Sequence, residues 1–252
     1  MIFFNLLWLF PLGFLVGILL NHFSDTLPIS RKIFQKPQCE KCGQTFDFYN
    51  YITLSRCQNC RSFPKLRRYL VMLFAMISIP LIYFFPPIYI EWVLAMIIFT
   101  YLGLVFIIDF EHRLILHPVS FVGGVIFLIM GIFLNGWKIT IFGFLAGFGI
   151  MYALYLLGIL FGKFMAKRRG QEIDEIALGF GDVTLSTILG LLLGWPRIGV
   201  TLFFAIILGG VFSGLFLFFS VITRRYKAFT AIPYAPFIII SGIILIYVSS
   251  GS

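Results

Sequence analysis

Two aspartates and four cysteines are the residues of this chain whose types and spacing could do chemistry. Asp109 lies in Ile107-Ile108-Asp109-Phe110-Glu111-His112 and Asp182 in Gly179-Phe180-Gly181-Asp182, each where a long apolar run meets solvent. A carboxylate near hydrocarbon is costly, so an acid kept at such a boundary beside a glycine-rich turn is a functional candidate. Two carboxylates held close push their pKa values apart, so one can activate a water while the other protonates a leaving group. Gly179 and Gly181 would let the backbone approach a substrate strand. Ser186 has no His/Asp arrangement around it, and no Cys or Lys sits in a nucleophile setting, which leaves an aspartyl mechanism as the simplest hydrolytic chemistry.

Each acid also has a plainer role. Asp182 precedes the apolar run from Val183 and reads as a helix N-cap. Asp109 reads as a helix-end charge paired with Arg113, four residues on. His112 reads as a polar interface residue, because His22 and His117 are not spaced to complete a metal site with it.

The cysteines form two CxxC pairs, Cys39-Glu40-Lys41-Cys42 and Cys57-Gln58-Asn59-Cys60, separated by 14 residues. Each pair offers two thiolates to one tetrahedral ion, and two such knuckles close a structural Cys₄ zinc site of the ribbon type. Four protein ligands leave no open position, which argues against a catalytic zinc. Disulfides are the alternative, favoured only if the loop faces an oxidising compartment.

The elements that must position these residues are membrane spans. The chain has 252 residues, 60% of them hydrophobic and only 12% charged, with 32 Phe and a mean hydropathy of +1.02. Apolar runs near 3 to 20, 69 to 85, 91 to 108, 119 to 135, 139 to 161, 182 to 194, 198 to 221 and 231 to 249 predict about eight helical spans, the sixth being short. The first reads as a retained span, since no basic residue precedes it and no small-residue cleavage site follows it. The expected fold is therefore an all-α, polytopic transmembrane bundle with a cytoplasmic zinc-ribbon-like loop. Its expected parts are a first span over 1–20, the Cys₄ loop over 21–68 and a membrane-embedded catalytic domain over 69–252.

Orientation follows from basic residues, which gather in cytoplasmic loops. With the loop 21 to 68 inside, segments 109 to 118, 162 to 181 and 222 to 230 also fall inside, and the four hold 17 of the 19 Lys and Arg. Both aspartates then share the cytoplasmic face. The net charge of +9 is explained by this topology and by anionic headgroups, so no nucleic-acid partner is expected.

At these residues the chain resembles the bacterial prepilin peptidases, membrane aspartyl proteases of the GxGD type. The likeness runs in order through Gly17-Ile18-Leu19-Leu20-Asn21 with Leu27-Pro28, and through the paired CxxC loop into Arg67-Arg68-Tyr69. It continues with Asp109 followed by Pro118, Gly179 to Asp182 with Leu185, and Ile232-Pro233-Tyr234-Ala235-Pro236-Phe237. The resemblance implies an enzyme of the bacterial inner membrane, with Asp109 and Asp182 catalytic and Gly179 and Gly181 supporting them. Its partners would be prepilin or pseudopilin precursors in the lipid bilayer, whose short basic leader it cleaves on the cytoplasmic face, commonly after a glycine. The family can also methylate the new N-terminus with S-adenosylmethionine. Thr184 stands where the family often has Lys, Pro118 lies farther behind the first Asp than usual, and no acid occurs between Asp47 and Glu91. Two readings from other classes are a transporter that uses the membrane-edge acids for ions or protons, and a non-catalytic assembly factor of a pilus or secretion machine.

Overall fold

The computed structural model describes residues 2–30, 35–39, 41–169, 179–223 and 233–248. The basic stretch 224–227, most of the segment 162 to 181 beyond Arg169, Glu40 and Ile232 lie outside the described residues. Among those described, the regular structure is helical: α1 (Ile2–Ser30), α2 (Phe48–Ile52), α3 (Leu66–Phe84), α4 (Trp92–His112), α5 (His117–Asn135), α6 (Trp137–Arg169), α7 (Phe180–Leu193), α8 (Arg197–Ile222) and α9 (Ala235–Val248). Six of these, α1, α3, α4, α5, α6 and α8, are long and apolar enough to cross a membrane. Their outward faces carry large apolar side chains such as Phe74, Phe121, Phe133 and Phe218, as expected of surfaces solvated by lipid tails.

Two expectations change. The first helix does not stop at Leu20 but runs on to Ser30, so residues assigned to the loop extend the first span. The expected eight spans resolve into six long helices and two of 14 residues, α7 and α9. At 1.5 Å per residue α7 is about 21 Å long, short of the roughly 30 Å hydrocarbon core.

The chain divides into Met1–Ile108 and Asp109–Ser252. In the first unit α1 packs on α3 through Gly13 and Gly17, one helical turn apart. A Cβ at Gly13 would stand 2.8 Å from Met76 Cα, and one at Gly17 would stand 2.7 Å from Met72 Sδ. Small residues four apart let helix backbones approach, the usual device for packing helices where lipid is as apolar as the side chains. Leu20, Val71 and Ala75 form the core at this seam.

In the second unit the same device holds α7. A Cβ on Gly143 of α6 would strike the Gly190 carbonyl, and one on Gly190 would strike the Gly143 carbonyl. One turn along, a Cβ on Gly147 would lie 2.5 Å from the Ser186 carbonyl oxygen, and the Ser186 hydroxyl donates to the Gly147 carbonyl at 3.1 Å. Gly143 and Gly147 thus face Ser186 and Gly190, a small-residue pair on each helix. On another side Gly131 of α5 meets the Leu191 carbonyl, and Asn135 Nδ2 donates to the Leu192 carbonyl at 2.8 Å. Because α5, α6, α8 and α9 all pack against it, α7 is buried from Leu185 to Leu193 on every face, which explains a helix that is apolar all round.

Candidate functional site

Asp109 occupies the last turn of α4, and Asp182 the first turn of α7. Both are buried, at 6% and 7% exposure, although each stands at a helix end. The carboxylates are close enough for the charge of Asp109 to act on Asp182. The two predicted acids thus lie within electrostatic reach of each other.

The plainer reading of Asp182 is revised. Helix α7 starts at Phe180 with Gly179 as its N-cap, so Asp182 is the third helical residue and not the cap. Its Oδ2 reaches back to accept the Gly179 N–H at 3.2 Å, the carboxylate half of a capping box. Helix α4 ends at His112, and Arg113 turns into the left-handed region at φ 52. The Arg113 N–H still closes on the Asp109 carbonyl at 2.8 Å, and the Arg113 charge acts on the Asp109 carboxylate, in keeping with the expected pairing. Asp109 Oδ2 is buried with no hydrogen-bond partner.

The two glycines differ in their surroundings. Gly179 has φ −76 and ψ 147, which any residue adopts, and a Cβ there would meet only Asp182 Oδ2, at 3.6 Å. At Gly181 a Cβ would stand 3.0 Å from Ile115 Cβ, so the space is taken by this chain's own loop rather than held open for a substrate strand. Gly181 lets the loop after α4 lie against the start of α7, a contact between the two segments that carry the acids.

A groove of about 430 Å³ runs beside α7. It is lined by Ser120 and Gly124 of α5, Phe148 of α6, and Phe180, Thr184 and Thr187 of α7. Phe180 is half-exposed, with its ring edge-on to Tyr155 at 5.9 Å. His112 lies 3.8 Å from Glu111, in keeping with a polar boundary residue.

The cysteine loop forms a second site within the first unit. All four Sγ atoms lie within 4.8 Å of one another, so Cys39, Cys42, Cys57 and Cys60 cluster in a way that can hold a metal ion. The sulfurs of Cys39 and Cys60 are 3.6 Å apart, and those of Cys42 and Cys57 are 3.5 Å apart. A disulfide would need about 2.05 Å, whereas a tetrahedral ion with Zn–S of 2.3 Å sets sulfurs about 3.8 Å apart. The distances fit the ion.

Both knuckles have one construction. The first cysteine's carbonyl accepts the N–H four residues on, from Gly43 at 2.7 Å and from Arg61 at 2.9 Å. Its own N–H donates five residues on, to Gln44 at 2.8 Å and to Ser62 at 3.1 Å. The fourth residue after it is left-handed in both, Gly43 at φ 71 and Arg61 at φ 52. Burial pushes the Cys39 thiol up, but hydrogen bonds from the Ser62 hydroxyl and the Cys42 and Lys41 amides outweigh it and hold Cys39 down to about 6. At Cys42 the Gln44 amide lowers the pKa, yet desolvation and the neighbouring sulfurs win and push it up to about 12. Four thiolates this close repel one another, and a divalent cation relieves that repulsion.

An ionic cluster that sequence reading missed ties this loop to the helices of its unit. Asp25 of α1 pairs with Arg67 and, at 2.9 Å, with Arg68, both of α3, and accepts the Tyr51 hydroxyl of α2 at 2.7 Å. The Arg68 guanidinium also covers the Tyr51 ring at 4.9 Å and the Phe46 ring at 5.1 Å. Arg67 and Arg68 were legible as a motif, but not their shared partner, since only the length of α1 brings Asp25 to them.

Fold and site together define a polytopic helical membrane protein with a pair of buried acids at two helix ends. Residues 96–214, just under half of the chain, match the model of the type IV leader peptidase family. Asp109, Gly179, Gly181 and Asp182 all fall within the matched segment. No curated protein and no solved structure matches the chain.

Proposed function

We propose that this protein is an aspartyl endopeptidase that removes the basic leader from type IV prepilin-like precursors, with Asp109 and Asp182 as its catalytic pair. The observation that carries the reading is the burial of two carboxylates at helix ends, inside the segment that matches a leader peptidase. One carboxylate takes a proton from water as the water oxygen attacks the scissile carbonyl carbon. The other gives its proton to the leaving amide nitrogen, so the pair ends with one proton, as it began.

The basic-residue count supports a cytoplasmic location for both acids and for the cysteine loop, in the bacterial inner membrane. The groove along α7 is apolar and is lined by Phe180, Val183 and Thr184 of its first turns, which suits the apolar stretch that follows a pilin-type leader. Zinc held by Cys39, Cys42, Cys57 and Cys60 is structural in this reading, since four ligands fill its coordination. The proposal stops at proteolysis; methyl transfer from S-adenosylmethionine draws no support from the geometry of the described residues.

A transporter reading fits less well. Acids that bind or relay ions inside a membrane belong along a pathway, whereas Asp109 and Asp182 stand in a last and a first helical turn. Co-expression with a pilin-like precursor tests the proposal. Asp109→Asn and Asp182→Asn should each reach the membrane and abolish leader removal, read by electrophoresis and mass analysis of the new N-terminus. Full cleavage by either variant would refute the pair.

A further inference from the structure

Beside Asp182 stands a third polar group to which sequence reading gave no role. Tyr234 immediately precedes α9, and its carbonyl accepts the Phe237 and Ile238 N–H groups at 3.0 and 3.4 Å. The start of α9 thereby faces the acid: the Ala235 N–H, one of the free donors of a helix N-terminus, is directed at the Asp182 carboxylate.

The Tyr234 ring is wedged on two sides. A Cβ on Gly209 of α8 would stand 2.9 Å from its Cε2, and the Phe237 ring lies 6.1 Å away at 55°. Its hydroxyl is buried and without a hydrogen-bond partner, near enough for the Asp182 charge to act on it. Leaving a hydroxyl buried and unpaired costs about 1–3 kcal/mol. Asp109 Oδ2 is likewise buried with no hydrogen-bond partner, and the Asp109 charge also acts on Asp182. A buried donor and a buried acceptor without partners are groups that a bound peptide could satisfy.

We propose that Tyr234 is a catalytic residue whose hydroxyl donates a hydrogen bond to the scissile carbonyl oxygen of the bound peptide. The inference rests on the aspartyl reading and adds the electrophilic partner that the two acids lack. As water attacks, the carbonyl π pair moves onto oxygen and the Tyr234 O–H holds that charge without giving up its proton. The water's proton goes to one carboxylate. On collapse the carbonyl re-forms, and the amine leaves with the proton of the other carboxyl.

Full-length protein in detergent, assayed on a pilin-like precursor with a basic leader ending in glycine, decides it. Tyr234→Phe keeps the ring in its wedge and removes only the donor, so kcat should fall about 100-fold or more. KM should stay within about twofold and the melting temperature close to the parent's. Gly209→Ala, which pushes the ring without touching substrate, should also lower kcat, and should lower it no further in the Tyr234→Phe background. If Tyr234→Phe keeps kcat within about twofold while Asp109→Asn and Asp182→Asn are inactive, the Tyr234 role is overturned and the aspartyl reading stands. If either Asn variant still cleaves fully, the aspartyl reading falls and this inference with it.

Discussion

Alanine at Gly190 should loosen the seat of Asp182. The added methyl would strike the Gly143 carbonyl oxygen and stand 2.9 Å from its carbon, both backbone atoms of a facing helix, so no side-chain rotation can relieve it. The helices must separate, and overpacking of this kind costs about 1–3 kcal/mol. For a chain of this size that corresponds to a melting temperature lowered by roughly 2 to 12 °C. Asp182 lies eight residues away on the same helix, about 12 Å along its axis, so a tilt of α7 at the seam moves the carboxylate relative to Asp109. The assay is thermal unfolding of purified protein in detergent beside initial rates of leader cleavage. Gly149→Ala is the control, because a Cβ at Gly149 of α6 meets nothing within 4 Å, whereas Gly147, two residues earlier, abuts Ser186. Equal melting temperatures and rates for Gly190→Ala and Gly149→Ala would refute the close approach of α6 and α7.

Two further outcomes concern the cysteine module. Cys39→Ser should eliminate bound zinc by elemental analysis. In the parent, zinc should be retained near neutral pH and lost on acidification, because the bound form needs thiolates and protons compete for them. Arg61→Gly should raise the module's thermal stability by the equivalent of about 1 kcal/mol, since Arg61 takes the left-handed conformation that Gly43 takes freely in the other knuckle. An unchanged or lower melting temperature would mean that the Arg61 side chain contributes more than its backbone costs.

What the sequence made legible was periodic or strongly spaced. Long apolar runs betrayed the helices, and two CxxC pairs betrayed a four-sulfur cluster, because each pattern is short-range and each residue's contribution is independent of the rest of the fold. Boundaries that depend on tertiary partners were not legible. Asp25 looked like a loop residue because its position inside α1 is compensated by Arg67, Arg68 and Tyr51, which lie far along the chain. Gly181 looked like a gap for substrate because nothing local reveals that Ile115 fills it. The glycine seams could have been found: Gly13 with Gly17, Gly143 with Gly147, and Ser186 with Gly190 all have the four-residue spacing of close helix packing.

The shortness of α7 connects these points to the chemistry. A 14-residue helix cannot carry both of its ends to the two faces of a bilayer, yet a helix end in hydrocarbon leaves backbone groups unpaired at several kcal/mol each. The resolution at the Asp182 end is local: the Asp182 carboxylate accepts the Gly179 N–H at 3.2 Å, and the α9 start turns the Ala235 N–H toward the same group. The acid that the reaction would use is thus also the acceptor for free backbone amides at the α7 and α9 starts. A carboxylate in this position is held by backbone, not by a side-chain cation, and no rotamer change can withdraw its partners. Substitution by Asn keeps an acceptor oxygen for those amides and removes the charge. Asp182→Asn therefore separates the two tasks, since the helix start should survive while the proton transfer does not, and Asp182→Leu should lose both.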